Sequence, residues 1–147
     1  MSTFFSNKTI LLPFDFSDES KSALGEALQM ADASTTLHMV NVIVPASTLA
    51  LEPAMTVELG DDSVRMDVAR GKMAELVGDC GHPVQCETRL GDPGHEIVDF
   101  ANEINADLIV MPSHGRSGIR RILLGSVAER VMRHAECPVM IIRKPKG

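Results

Sequence analysis

The chain alternates between short apolar runs and segments whose apolar residues recur every three or four positions, and this alternation constrains its fold most. Short apolar or β-branched runs favour strands, whereas the wider spacing favours helices. Strands that alternate with helices predict an α/β fold, an open five-stranded parallel sheet with helices on both faces. The predicted strands are Thr9–Phe14, Leu37–Val44, Val84–Leu90, Asp107–Met111 and Cys137–Arg143.

Each predicted helix begins at a residue that commonly caps or opens helices. Residues 45–60 contain two prolines and a glycine without a clear period, so we predict a long loop or lid there. The run Val84–Leu90 alternates apolar and polar residues, which predicts a half-buried strand near a sheet edge. The predicted helix starts are Ser17, Asp61, Asp92–Pro93 and Gly125–Ser126.

Length and composition are those of an ordinary globular domain. The 147 residues are enough for one core, which predicts a single domain over residues 1–147. Hydrophobic residues make up 44% and charged residues 23%, and no apolar run is long enough to insert into a membrane. The N-terminal residues lack the pattern of a secretory signal, so we expect a cytoplasmic protein.

The cysteines and the charge exclude several classes of site. Cys80, Cys86 and Cys137 are an odd number without metal-site spacing, which favours reduced, buried thiols. A net charge of -6 and only five aromatic residues, all Phe, argue against a general nucleic-acid surface. An anion would therefore have to be bound locally.

Two segments that follow predicted strands carry the candidate chemistry. In open parallel sheets, ligands bind beyond the carboxyl ends of the strands, where the strand order reverses. The first segment is "PFDFS", which contains Asp15, and the second is "PSHGRSGIRRILLGS", residues 112–126. The second segment combines glycines that allow close approach with a helix N-terminus that favours an anion. His114, Arg116, Arg120 and Arg121 add donors or positive charge to it.

This second segment resembles the signature G-x-x-G-x(9)-G-[ST] of the ATP-binding branch of the universal stress protein family. Here the pattern reads Pro112-Ser-His-Gly115, nine residues, then Gly125-Ser126. The resemblance extends along the whole chain, since Pro13-Phe14-Asp15 and the last strand also match. It implies a Rossmann-like fold of the adenine nucleotide alpha hydrolase type, with strand order 3-2-1-4-5.

The resemblance also implies a site for ATP or AMP, and it allows a Mg²⁺ ion held by the phosphates. The Asp15 side chain and its neighbours Pro13 and Phe14 would engage the nucleoside, and the Val42 backbone would face the adenine. The remaining implied contacts are Met111 and Pro112 at the ribose, with His114, Gly115, Arg116, Gly125, Ser126 and Val127 at the ribose and phosphates.

Pro112 departs from the signature, because the family has glycine there. Proline has no N–H and fixes φ near −65°, so a contact that depends on either would be lost. Losing one charge-assisted hydrogen bond would weaken binding by roughly ten- to a hundredfold.

Each candidate residue also has a purely structural interpretation. Ser126 and Glu129 form the pattern of a capping box, and Asp15 could stabilise a local turn. Gly115 and Gly118 could simply turn a loop, and the arginines could form a solvated face. His114 is expected to form hydrogen bonds within the loop rather than act as a general base.

Three functions are compatible with these patterns. The first is a cytoplasmic, adenine-nucleotide-binding stress or regulatory protein in which the ligand biases a partner surface. The second is an interaction module of the same type that does not retain nucleotide. The third, an enzyme, is a weaker candidate, because the sequence has no P-loop or nucleophile elbow, which leaves slow ATP hydrolysis at most.

We also expect a homodimer through the last strand, Val139 to Ile142, because a bare apolar edge needs a partner. The protein partner is not predicted.

Overall fold

A computed structural model describes residues 4–49, 51–114 and 124–143, and shows a five-stranded parallel sheet. Its strand order, β3-β2-β1-β4-β5, confirms the expected order. Every strand pair is parallel, so each connection crosses back over one face of the sheet. The strands are β1 (Thr9–Pro13), β2 (Thr36–Ile43), β3 (Val84–Leu90), β4 (Leu108–Pro112) and β5 (Val139–Ile142).

Helices cover both faces of this sheet. Side-chain oxygens of Ser17, Asp61 and Asp92 each accept a hydrogen bond from a backbone N–H in the first turn of the following helix, as expected of N-caps. The helices are α1 (Asp18–Met30), α2 (Pro53–Leu59), α3 (Asp62–Val77), α4 (Pro93–Glu103) and α5 (Ser126–His134).

The core has two layers, one on each face of the sheet, because successive side chains of a strand point to opposite faces. Leu12 and Met39 pack with α1 and α3 on one face. Leu11 and Val40 pack with α4 and α5 on the other. Both sides of β1 and β4 are therefore buried, which explains their continuous apolar sequences.

The prediction of an irregular loop over residues 45–60 is wrong. A short 3₁₀ turn (Ala46–Thr48) and the helix α2 occupy most of it. Helix α2 buries none of its residues, so its sequence carries no apolar period, although Pro53 stands at a position that favours a helix start. The segment is held to the fold where the Ala46 N–H donates to Asp62 Oδ1 at 3.2 Å.

The sheet edges are β3 and β5. Strand β3 is mostly half-buried, which confirms the prediction for Val84–Leu90. Among the described residues, no helix is long and apolar enough to cross a membrane.

Candidate functional site

The strand order reverses between β1 and β4, and the pairing of these two strands is short. Strands β1 and β2 are in register over five residue pairs, ending at Pro13↔Val40. The register of β1 with β4 ends two residues earlier, at Leu11↔Ile109. The carboxyl ends of β1 and β4 are therefore not joined by ladder hydrogen bonds, and the crevice in which such sheets bind ligands lies beyond them.

Two prolines explain why the hydrogen-bonded seam between β1 and β4 ends early. The N–H and C=O groups of successive strand residues alternate between the two neighbouring strands. The Phe14 N–H donates to Val40 of β2 at 2.8 Å, so the nitrogen of Pro13 faces β4. The Ser113 N–H donates to Ile142 of β5 at 3.2 Å, so the nitrogen of Pro112 faces β1. Neither proline has a hydrogen to donate, and the seam lacks two successive ladder bonds.

Strand β2 presents an open backbone edge to the same crevice. Because Val40 faces β1, the N–H and C=O of Val42, two residues on, face the same side beyond the end of β1. The Val42 side chain packs against the α4–α5 layer. Only the backbone of Val42 therefore faces the crevice.

The loop from β1 to α1 fixes Asp15 beside the crevice. Asp15 Oδ1 accepts hydrogen bonds from the Ser17 N–H at 3.0 Å and from the Ser20 hydroxyl at 2.6 Å. The Phe14 side chain is buried in the core, so its backbone alone belongs to the site. Phe16 has a φ of +65°, which is rare for a bulky residue and frequent at functional sites. The turn interpretation of Asp15 is thus correct, and it places the carboxylate rigidly.

The end of β4 contributes His114 to the crevice. Its Nδ1 lies 3.1 Å from the Ser113 hydroxyl, which confirms that this histidine forms hydrogen bonds within the loop. Its Nε2 is buried and has no hydrogen-bond partner among the described residues. Met111 is buried in the α4–α5 layer, and Pro112 is buried as well. A polar ligand group would satisfy the unpaired ring nitrogen.

The N-terminus of α5 has no side-chain cap among the described residues. Gly125 is its N-cap, and among the described residues no side chain accepts from its first turn. The alternative of a capping box at Ser126 is wrong, because Gly125 is the N-cap and Ser126 already lies inside the helix. The Gly125 N–H donates to the Ser113 carbonyl at 2.6 Å, which ties the helix start to the end of β4. The N–H groups of Ser126 and Val127 remain for an anion.

A groove of about 430 Å³ runs from this helix end between α4 and α5. Arg130 crosses it and bonds Asp92 Oδ2 at 2.8 Å. The capping bond from the His95 N–H and the Arg130 guanidinium lower the pKa of Asp92. A Cβ on Gly94 would lie 2.5 Å from the Arg130 side chain, so this approach requires glycine. The lining residues are Asp92, Gly94, Ser126, Val127, Glu129, Arg130, Arg133 and His134.

Several predicted contacts lie outside the described residues: Gly115, Arg116, Gly118, Arg120 and Arg121. Within the described ranges, no group of three or more His, Cys, Asp or Glu side chains could hold a metal ion. Cys80, Cys86 and Cys137 are free thiols, but they are half-buried rather than fully buried as predicted.

Two residues that the sequence patterns did not single out also belong here. Asn41 Nδ2 donates to the Phe14 carbonyl at 2.8 Å, and the Ser113 carbonyl holds the start of α5. A polar residue inside the apolar run of β2 was the available signal for Asn41.

Comparison with known sequences decides the family. The sequence profile described as "Universal stress protein family" matches residues 6–143. The chain belongs to the universal stress protein family. Universal stress protein MJ0531 of Methanocaldococcus jannaschii is 36% identical over 142 residues, covering 95% of this chain and 84% of the relative.

Solved structures of the family share this fold. Protein MJ0577 of Methanocaldococcus jannaschii superposes with a TM-score of 0.79 at 28% identity, covering 96% of this chain and 99% of its own. A universal stress protein solved in complex with cAMP superposes with a TM-score of 0.66 at 26% identity, covering 92% and 96%. The Rossmann-like arrangement expected from the sequence is thereby confirmed.

Proposed function

We propose that this universal stress protein binds an adenine nucleotide, ATP or AMP, as a regulatory ligand in the crevice between β1 and β4. The observation that carries the proposal is the early end of the β1–β4 pairing at the reversal of strand order. A related structure of the family was solved with cAMP, which supports an adenine nucleotide as the ligand class.

The crevice offers a suitable partner for each part of a nucleotide. The Val42 edge provides a donor and an acceptor side by side, which complements N1 and the amino group of adenine. Asp15 and the unpaired His114 Nε2 offer polar atoms to a ribose. The open first turn of α5, at Ser126 and Val127, suits phosphate. Contacts from Gly115 and Arg116, and a Mg²⁺ ion on the phosphates, remain predictions.

A second candidate is an interaction module that does not retain nucleotide. Pro112 favours it, because the residue cannot supply the backbone donor that the family's glycine would supply. In that case the crevice would serve only as a recess beneath a partner surface.

Mass spectrometry and calorimetry separate these two functions. Small molecules released from the purified protein should include ATP or AMP, and titration with ATP should give a saturable heat. GTP is the control for the base, and tripolyphosphate is the control for the phosphates. We expect weaker binding of both controls. If no adenine nucleotide co-purifies and ATP, AMP and cAMP give no heat at millimolar concentration, the interaction module is the correct function.

We also propose that the chain forms a homodimer through β5. All four residues Val139–Ile142 are apolar and half-buried at a sheet edge, which favours pairing with a second copy across a two-fold axis.

The half-buried free thiols support a reducing compartment, and we propose the cytoplasm.

A further inference from the structure

We infer that Asn41 is a positioning residue that keeps the Val42 backbone edge open for the nucleobase. This inference rests on the proposed function, since it explains how the Val42 backbone groups that would bind adenine are kept free. Asn41 itself would not touch the ligand; it acts through the Phe14 carbonyl.

The register of β1 and β2 shows what Asn41 prevents. The Phe14 N–H donates to the Val40 carbonyl at 2.8 Å. In a regular parallel ladder, the next bond would join the Val42 N–H to the Phe14 carbonyl. That carbonyl instead accepts from Asn41 Nδ2 at 2.8 Å. Among the described residues, the Val42 N–H has no partner on its β1 side.

The orientation of the Asn41 amide follows from its partner. A backbone carbonyl can only accept, so the amide nitrogen and not the oxygen must face Phe14. The other end of the amide, Oδ1, is buried without a hydrogen-bond partner among the described residues, and Asn41 is only 6% exposed. A buried acceptor without a partner destabilises a fold, so packing alone would favour an apolar residue here. The donor is therefore the feature of Asn41 that the site uses.

The backbone after Phe14 is consistent with this role. Phe16 takes a left-handed conformation with φ of +65°, which turns the chain away from β2 towards α1. The Phe14 and Phe16 rings meet edge to face at 5.0 Å. The Asn41 amide bridges the gap that this turn leaves between the loop and β2.

Amide hydrogen exchange tests the inference without any ligand. In the unliganded wild type, the Val42 amide should exchange at least tenfold faster than the Val40 amide, which lies inside the ladder. In Asn41→Leu, a change of similar size, the Phe14 carbonyl is no longer held on the Asn41 side chain, so it can move into line with the Val42 N–H and accept from it. The Val42 amide should then become protected by at least tenfold. Equal protection of Val42 and Val40 in the wild type would overturn the inference even if Asn41→Leu does not fold.

Binding measurements test its consequence for the nucleotide. Asn41→Leu should weaken ATP binding by roughly tenfold, the value of one hydrogen bond of about 1.4 kcal/mol, and leave tripolyphosphate binding unchanged. Thr88→Val is the matched control, because Thr88 lies opposite Asn41 on β3, is equally buried and bonds Arg70 rather than the β1 loop. Unchanged ATP affinity in Asn41→Leu, or an equal loss in Thr88→Val, would contradict the inference. If the wild type binds no ATP at all, the proposed function fails, and the exchange experiment still decides the role of Asn41.

Discussion

Replacing Pro112 by glycine should strengthen ATP binding, because the change restores an N–H donor inside the crevice. Pro112 is the last residue of β4, and its nitrogen faces β1 at the end of their seam. The glycine N–H would lie beside the space that the nucleotide is proposed to fill. Glycine also regains positive φ, which proline cannot adopt.

The size of the effect follows from the bond that is restored. A hydrogen bond to a neutral ribose group contributes about 0.5–1.5 kcal/mol, and one to a charged phosphate about 1.5–3 kcal/mol. We therefore expect roughly tenfold tighter binding, because a tenfold change corresponds to about 1.4 kcal/mol, near the boundary between these two energy ranges. The unliganded protein should lose stability, by about 0.4–1 kcal/mol from the more flexible unfolded chain and by a further contribution from the buried ring.

Calorimetry and thermal unfolding measure these two opposite effects separately. Titration with ATP gives the dissociation constants of the wild type and of Pro112→Gly. Thermal unfolding across an ATP titration should start at a lower melting temperature for the glycine variant and rise more steeply, since the stabilisation at about 100 times the dissociation constant is about 2.7 kcal/mol.

Pro112→Ala is the matched control, because alanine restores the N–H without easy access to positive φ. If the donor matters, both variants should bind ATP more tightly; if the backbone conformation matters, glycine alone should. Equal or weaker binding by both variants would refute the reasoning and show that Pro112 is compatible with the site.

Three further predictions concern other parts of the fold. Gly125→Val should remove ATP binding, because the new side chain blocks the start of α5. The fold should stay intact, because Gly125 has φ of −71°, which valine can adopt. Unchanged ATP affinity in calorimetry would place the phosphates elsewhere. Ile141→Pro should convert the proposed dimer to a monomer of 15.9 kDa by light scattering, because the Ile141 N–H faces away from β4; a wild type that is already monomeric at micromolar concentration would rule out the dimer. Burial lowers the pKa of His38, opposed by Glu87, so folding stability should be complete above the unfolded value of about 6.5 and decrease as the pH falls through the lower folded value. Urea unfolding of His38→Gln should show a weaker loss from pH 7 to pH 5, and an identical pH profile would argue against this origin.

Most of the architecture could be predicted from local patterns. Strands and helices were found because β1 and β4 are apolar throughout and the helix starts carry capping residues such as Ser17 and Asp92. Helix α2 was missed because it buries no residue and so leaves no apolar period. The alternative of a capping box at Ser126 is wrong, because the pattern does not fix the residue at which a helix begins.

The site was predicted less completely, because its key contacts join distant parts of the chain. In the sequence, Asn41 is an ordinary polar residue in a strand. The structure shows that its amide donates a hydrogen bond to the Phe14 carbonyl. In the sequence, Pro112 is only a departure from the family signature. The structure shows that its nitrogen faces β1, where Pro13 also lacks a donor. The N-terminal residue of β1, Thr9, bonds Asp107 across a separation of 98 residues, and that register decides which backbone groups face the crevice.

The fold class and the residue types at the strand ends follow from the sequence alone, and the strand order follows from the family resemblance. Hydrophobic periodicity and capping are local properties, so they can be read along the chain. The tertiary structure was needed to show that two prolines end the β1–β4 pairing, that no described side chain caps α5 beside it and that the Asn41 amide donates to the Phe14 carbonyl. These features depend on the pairing and register of strands far apart in sequence, which no local pattern specifies.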